Sequence, residues 1–266
     1  MHVMHSFCAR ISRPCTLMTT HAIKLNNGAV MPAVGMGCWF GRPDASQITQ
    51  LVDVALAAGY RHFDMAKLYG NEKELGEALR KSGVPREELF ITTKVWNDRH
   101  KDVEAAFDES FERLGLDYVD LYLVHWPQAQ NADGSLDEST NYNDTWKQME
   151  RLLETRAGKV RAIGVSNFSV KTLSDLLEHA KVVPACNQVE THPYAPLPEL
   201  VDLCKKRGIA VTAYTPLGLA KAPMLEDPDV AAVAKELGVT ASQVLLSWNV
   251  QRGVGVLPKT VQCVPC

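Results

Sequence analysis

Short apolar runs and longer stretches of helical period alternate along most of this chain. "IKLNNGAVMPAVG" alternates apolar and polar positions on both sides of Asn27-Gly28, the pattern of a β-hairpin. After it come strand-like segments at "VGMGCW", "YRHFDMA", "LFITTKVW", "VDLYLVHWP", "VRAIGVSNF", "VPACNQVE", "IAVTAYTPL" and "GVGVLPK". Between them the period changes to that of helices, at residues 46–58, 71–82, 102–114, 143–157, 169–180, 198–207 and 229–251, the last broken into two at Gly238. Strands alternating with helices, without a composition break or a linker rich in Pro, Gly and Ser, predict an α/β fold. A closed (β/α)8 TIM barrel with an N-terminal β-hairpin fits better than an open doubly wound sheet. Residues 21–266 then form one domain, and residues 1–20 a disordered or leader-like start.

That frame changes how the polar residues read, because the unusual ones gather where the strands end. Asp64, Lys94, His125, Ser166 with Asn167, Gln188 with Glu190, Tyr214 with Thr215, and Lys259 all stand at such ends. This is the barrel face on which such enzymes place their chemistry. Lys94 interrupts the apolar strand "FITTKVW", where an unpaired ammonium is costly, and Asp64 on the neighbouring strand can supply its carboxylate. Tyr69 stands alone as a rim residue ahead of a helix that Asn71 would cap. Next to Lys94 it becomes a candidate acid, since an ammonium stabilises the phenolate left behind. His125 can hydrogen-bond a substrate oxygen or assist the proton transfer. Ser166, Asn167 and Gln188, with the ring of Tyr214, suit a flat ring bearing a carboxamide, such as nicotinamide, and Lys259 can meet a phosphate.

Several other chemistries find no support. There is no G-x-S-x-G elbow, no G-x-G-x-x-G and no G-x-x-x-x-G-K-[ST]. A metal-dependent barrel hydrolase using His62, Asp64, His125 and His192 remains open, since His62 and Asp64 share a strand face, but it leaves Tyr69, Lys94 and the amide cluster without a role. The formal net charge is -3, with 22% charged residues of both signs interspersed, which disfavours nucleic acid and membrane partners. No apolar run approaches the length of a transmembrane helix. The 7 cysteines are an odd number and mostly isolated, as expected of small buried hydrophobes in the cytoplasm; Cys263-Val-Pro-Cys266 reads as an accidental pair. "MHVMHSFCARISRPCTLM" carries Arg10 and Arg13 and no acid, a faint likeness to a mitochondrial presequence.

Taken together, "GYRHFDMAKLYGNE", "ITTKVW", "DYVDLYLVHWP", "GKVRAIGVSNF", "NQVETHPY", "AYTPLG" and "VLPKT" resemble the aldo-keto reductases, in order, from residue 21 to 260. The resemblance implies an NADP-dependent oxidoreductase of the alcohol dehydrogenase class. NADPH would deliver hydride reversibly to the carbonyl of an aldehyde or ketone, such as a sugar, glyceraldehyde or an aromatic aldehyde, without a metal. It implies Asp64, Tyr69, Lys94 and His125 as the catalytic tetrad, with Tyr69 the proton donor. It implies cofactor contacts at Ser166, Asn167, Gln188, Tyr214, Thr215, Leu217, Lys259 and Thr260, a carbonyl pocket walled by Trp39, Trp96 and Trp126, and a monomer. Met65 stands where the family usually has a small residue, and Lys67 reads as a solvated loop charge.

The family continues past its "PK[ST]" with a last barrel helix and a tail, whereas here "VQCVPC" follows Thr260. The expectation is therefore a barrel lacking its last helix and C-terminal tail, with bare apolar faces on the first and last barrel strands and a weakened cofactor clamp. The alternative that follows is a nucleotide-binding or inactive barrel without turnover.

Overall fold

The computed structural model describes residues 21–41, 44–218 and 223–259. The first element is the hairpin: β1 (Ala22–Lys24) pairs antiparallel with β2 (Val30–Pro32). Gly28 takes φ +89° in the connecting turn, a backbone conformation open to glycine at little cost. Two side chains of this hairpin, Leu25 and Met31, are buried with Phe90, Leu121, Leu123 and Cys186, so the hairpin plugs one end of the barrel.

The barrel is built by β3 (Met36–Gly37), β4 (His62–Asp64), β5 (Phe90–Val95), β6 (Leu121–Val124), β7 (Ile163–Ser166), β8 (Cys186–Glu190), β9 (Ala210–Tyr214) and β10 (Val254–Leu257). These 8 strands pair with their chain neighbours, in parallel throughout. The round closes between its two ends: Val256 donates its N–H to Ala33 at 2.7 Å, and Gly35 and Gly37 donate to Val256 and Pro258 at 2.9 and 3.0 Å. A side chain at Gly35 would obstruct this closure, since its Cβ would lie 2.6 Å from His62 Nδ1 and 2.8 Å from Leu257 Cδ2.

The outer layer comprises α1 (Ala45–Ala57), α2 (Glu72–Lys81), α3 (Val103–Leu114), α4 (Tyr142–Thr155), α5 (Val170–His179), α6 (Pro198–Lys206), α7 (Pro228–Leu237) and α8 (Ala241–Gln251). Their local signals are those of helix starts. Asp44, Ser169 and Thr240 form capping boxes with residues three further on, Asp227 caps α7, and Gly115 and Gly238 end α3 and α7 with positive φ. Asn71 departs from expectation. It makes no cap bond to α2; its side-chain N–H donates instead to Cys38 O at 2.9 Å, tying the helix start to the end of β3.

Strand alternation sends Phe63, Ile91, Val95, Tyr122, Val124, Ile163, Val165, Val211, Val254 and Val256 into the main core beneath the helices. The expected bare faces are absent from the described residues. Val254 and Val256 are fully buried and Met36 nearly so, because α8 packs on β10 and Ile48, Leu51 and Val52 of α1 join the same core as β3. Cys38, Cys186 and Cys204 are buried free thiols, as the sequence suggests. No single helix among the described residues is long and apolar enough to cross a membrane. The arginine-bearing start, Thr260 and the Cys263/Cys266 pair lie outside the described residues.

Candidate active site

Parallel strands point their C-terminal ends to one mouth, and the side chains that face inward there are polar. Lys94, last but one on β5, is completely buried, and its ammonium has two short contacts. It donates to Asp64 Oδ1 at 2.7 Å and to Met65 O at 2.8 Å, while its third direction leads to Tyr69 Oη at 3.5 Å. Tyr69 closes a short helical turn, Lys67–Tyr69, which β4 delivers to the rim. Burial pulls the Lys94 ammonium toward neutrality, but Asp64 and Tyr69 together hold its pKa above the ordinary value, so it stays charged.

Tyr69 differs from the simple expectation of an acid made stronger by its neighbour. Burial raises its pKa, Lys94 lowers it, and burial prevails. The phenol is neutral at physiological pH, with the ammonium placed to limit the cost of losing its proton. His125 follows β6, its ring edge-on to Trp96 at 4.9 Å and to Tyr69 at 6.0 Å between centroids. Its Nδ1 is buried without a partner among the described residues, and burial, aided by the Lys94 charge, pushes its pKa down to about 2. A neutral imidazole can hydrogen-bond an oxygen but is not a cationic acid.

The other half of the mouth is a connected amide network. Ser166 Oγ donates to Gln188 O at 2.8 Å, and Asn167 Nδ2 donates to His125 O at 2.9 Å and Ser166 Oγ at 3.2 Å. The Tyr214 hydroxyl donates to Asn167 Oδ1 at 2.8 Å. Asn167 and Thr215 adopt φ of +64° and +51°, uncommon for residues other than glycine, and such strain collects at functional sites. The Gln188 side chain turns inward and donates to Asp64 Oδ2 at 2.7 Å. That bond joins the two halves, and nothing in the sequence pointed to it.

The remaining candidates lie around the rim. Trp39 and Trp126 are 59% and 39% exposed, large apolar surfaces left open at the mouth, with Trp96 half-buried beside His125. Lys259 places its ammonium 5.9 Å from the Trp39 ring centroid. Leu217 is half-buried on the segment after β9. Lys67 is not a free solvated charge: it pairs with Asp98 at 3.0 Å.

The metal hydrolase set does not assemble. His62 lies 3.1 Å from Thr92 Oγ1 and 3.3 Å from Pro32 O, Asp64 is occupied by Lys94 and Gln188, and His192 lies 3.1 Å from Glu190. Among the described residues no three His, Cys, Asp or Glu side chains converge as a metal site.

A barrel of this topology with an Asp–Lys–Tyr–His cluster at its mouth invites comparison with known proteins. The family model described as "Aldo/keto reductase family" matches residues 33–263. The chain belongs to the aldo/keto reductase family. An aldehyde reductase of Saccharomyces cerevisiae is 46% identical, over 93% of this chain and 85% of its own length. A D-galacturonate reductase of Hypocrea jecorina is 44% identical, over 92% and 83%. Among solved structures, an aldo-keto reductase of Bombyx mori in complex with NADP aligns with a TM-score of 0.85 and 36% identity, covering 92% of this chain and 84% of that one. This aldo/keto reductase thus shares both sequence and barrel with oxidoreductases of that family.

Proposed function

We propose that this protein is an NADP-dependent reductase of aldehyde or ketone carbonyls, working reversibly as an alcohol dehydrogenase, with Tyr69 as its general acid. The observation that carries the reading is the buried Lys94 ammonium held between the Asp64 carboxylate and the Tyr69 hydroxyl. Relatives named as reductases, a Saccharomyces cerevisiae relative named as an NADP(+) glycerol 2-dehydrogenase and the NADP complex of the Bombyx mori relative support the reaction class and the cofactor.

The polar atoms at the mouth fit a nicotinamide. Asn167 is fully engaged by its neighbours, and Gln188 has committed its N–H to Asp64. The acceptors left over are the side-chain oxygen Oε1 of Gln188 and the second lone pair of Ser166 Oγ, which suit the N–H groups of a carboxamide, and the Tyr214 ring offers a face for stacking. Ser166, Gln188 and Tyr214 would hold that ring, with Thr215, Leu217 and Lys259 alongside it and Thr260 next in the chain. Bound there, the cofactor supplies hydride to the carbonyl carbon.

The chain's own residues do the rest. His125, neutral, donates a hydrogen bond to the carbonyl oxygen and orients it. Tyr69 gives its hydroxyl proton to that oxygen as negative charge develops there. Lys94 stabilises the resulting phenolate, and Asp64 keeps Lys94 charged and in place. In alcohol oxidation the phenolate takes the proton back. Trp39, Trp96 and Trp126 offer apolar surface at the mouth for the organic part of a small carbonyl substrate.

A titration of the purified protein with NADPH, followed by tryptophan fluorescence, tests the cofactor half of this reading. Saturable quenching is expected. Its absence in a sample with folded circular dichroism would sink the proposal.

A further inference from the structure

The bond between Gln188 and Asp64 spans the barrel from β8 to β4. Both oxygens of the Asp64 carboxylate are committed: Lys94 donates to Oδ1 at 2.7 Å and Gln188 Nε2 donates to Oδ2 at 2.7 Å. We propose that Gln188 is a positioning residue for the proton donor: by fixing Asp64 and drawing off part of its negative charge, it sets how far Lys94 can favour ionisation of Tyr69. The proposal rests on the reading of Tyr69 as the acid and gives Gln188 a duty beyond contact with a nicotinamide.

Burial makes the bond consequential. Asp64 and Gln188 are each 3% exposed and Lys94 is completely buried, so water cannot replace a lost donor on Oδ2. A buried carboxylate oxygen without a partner is costly, and a hydrogen bond to a charged group is about twice as strong as a neutral one. The Gln188 backbone is itself held: its main-chain carbonyl oxygen accepts from Ser166 Oγ and from the Asn167 N–H at 2.8 and 2.9 Å. The strand end, the side chain and the carboxylate are therefore one rigid assembly.

Among the described residues, the titratable groups that act on Tyr69 are Lys94 from β5, Asp64 from β4, Cys38 from just past β3, His125 from just past β6 and Tyr214 at the end of β9, whose own phenol is lifted by burial to about 12. Burial pushes the Cys38 thiol far up and His125 down to about 2, so both are neutral near pH 7. His62, the other titratable group on β4 near Asp64, is pushed down to about 4 and is neutral as well. The field at the phenol is thus the difference between one cation and one anion. A donor on the anion shifts that difference toward the cation. Without it, Asp64 acts with its full charge on both Lys94 and Tyr69, and the phenol becomes a weaker acid.

The test is a double-mutant cycle between Gln188→Met and Asp64→Asn, with kcat measured against pH in all four proteins and NADPH affinity measured separately by fluorescence. In the Asp64 background, Gln188→Met is expected to lower kcat about tenfold, the scale of one charged hydrogen bond. The alkaline limb of the profile should move up by about half to one pH unit. In the Asp64→Asn background the same change should have less than about a twofold further effect, because the group through which Gln188 acts is gone. Gln188→Asn, which keeps an amide but lacks the reach, should follow Gln188→Met and serves if the latter does not fold. Additive losses with an unmoved alkaline limb, or losses confined to NADPH affinity, would overturn the proposal. Tyr69→Phe runs alongside: if it retains turnover, the acid assignment itself has failed, a result distinct from failure of the Gln188 role.

Discussion

Lys67 donates to both carboxylate oxygens of Asp98, at 3.0 and 3.1 Å, and so ties the helical turn that carries Tyr69 to the turn that follows Trp96. Because the pair is partly exposed, its effect on stability should be small, at most about 1 kcal/mol. Its effect on position should be larger, since Tyr69 is two residues away. Lys67→Ala is expected to leave the melting temperature within a few degrees of the parent and to lower kcat/KM several-fold, as steady-state kinetics on any accepted aldehyde would report. An unchanged kcat/KM would separate this pair from the positioning of Tyr69.

Removing the Lys94 side chain should cost stability as well as turnover. Its ammonium is the cation facing Asp64 in a site where the two side chains are 0% and 4% exposed. Lys94→Met leaves a buried carboxylate without its counter-charge, a change that typically costs about 3–5 kcal/mol. The expected result in urea denaturation is a lower midpoint at pH 7 than that of the parent. A midpoint equal to that of the parent at pH 7 would contradict the ion-pair account.

Acid should destabilise the fold before carboxylates titrate. Burial, outweighing nearby Asp64, pushes His62 down to about 4, and burial likewise pushes His100 down to about 4, with both His100 ring nitrogens buried without partners among the described residues. The ordinary histidine value is about 6.5, so below it the unfolded chain takes up protons that the fold refuses. Stability is therefore complete above about pH 6.5 and falls as pH drops toward 4, by at most roughly 3 kcal/mol for each group. Denaturation midpoints at pH 7 and pH 5 check this, and His100→Gln should flatten the dependence.

Much of this arrangement is legible in the sequence because the barrel turns chain order into spatial order. Asp64, Lys94 and His125 end consecutive strands, so the topology alone makes them neighbours, and Tyr69 lies in the turn that β4 feeds. The helices were readable from period and caps, down to the break at Gly238. What was illegible depends on partners distant in the chain. Gln188 and Asp64 are 124 positions apart, and no spacing rule reaches across a barrel. Lys67 and Asn71 look like a loop charge and a helix cap when read locally; Asp98 and the Cys38 carbonyl, each more than 30 positions away, redirect them. The faces expected to lie bare on β3 and β10 are buried instead, since burial there depends on how α1 and α8 pack rather than on the strands' own residues.

Gly164 should not tolerate even a methyl group. Its added Cβ would lie 2.6 Å from Cys186 O and 2.7 Å from Leu123 Cδ2, between β8 and the plugged interior. A backbone carbonyl cannot step aside as a flexible side chain can, so Gly164→Ala is expected to destabilise by about 1–3 kcal/mol. The shift should displace Ser166, two residues on, and weaken NADPH binding, which fluorescence titration would report alongside the thermal midpoint.

The most direct test of the central claim is the rate of NADPH consumption with a simple aromatic aldehyde by Tyr69→Phe, measured beside the parent at saturating cofactor. Loss of at least about a hundredfold in kcat, with NADPH affinity retained, is predicted for a general acid. Turnover near that of the parent would contradict the account, since among the described residues Tyr69 carries the one hydroxyl that the Lys94 ammonium touches.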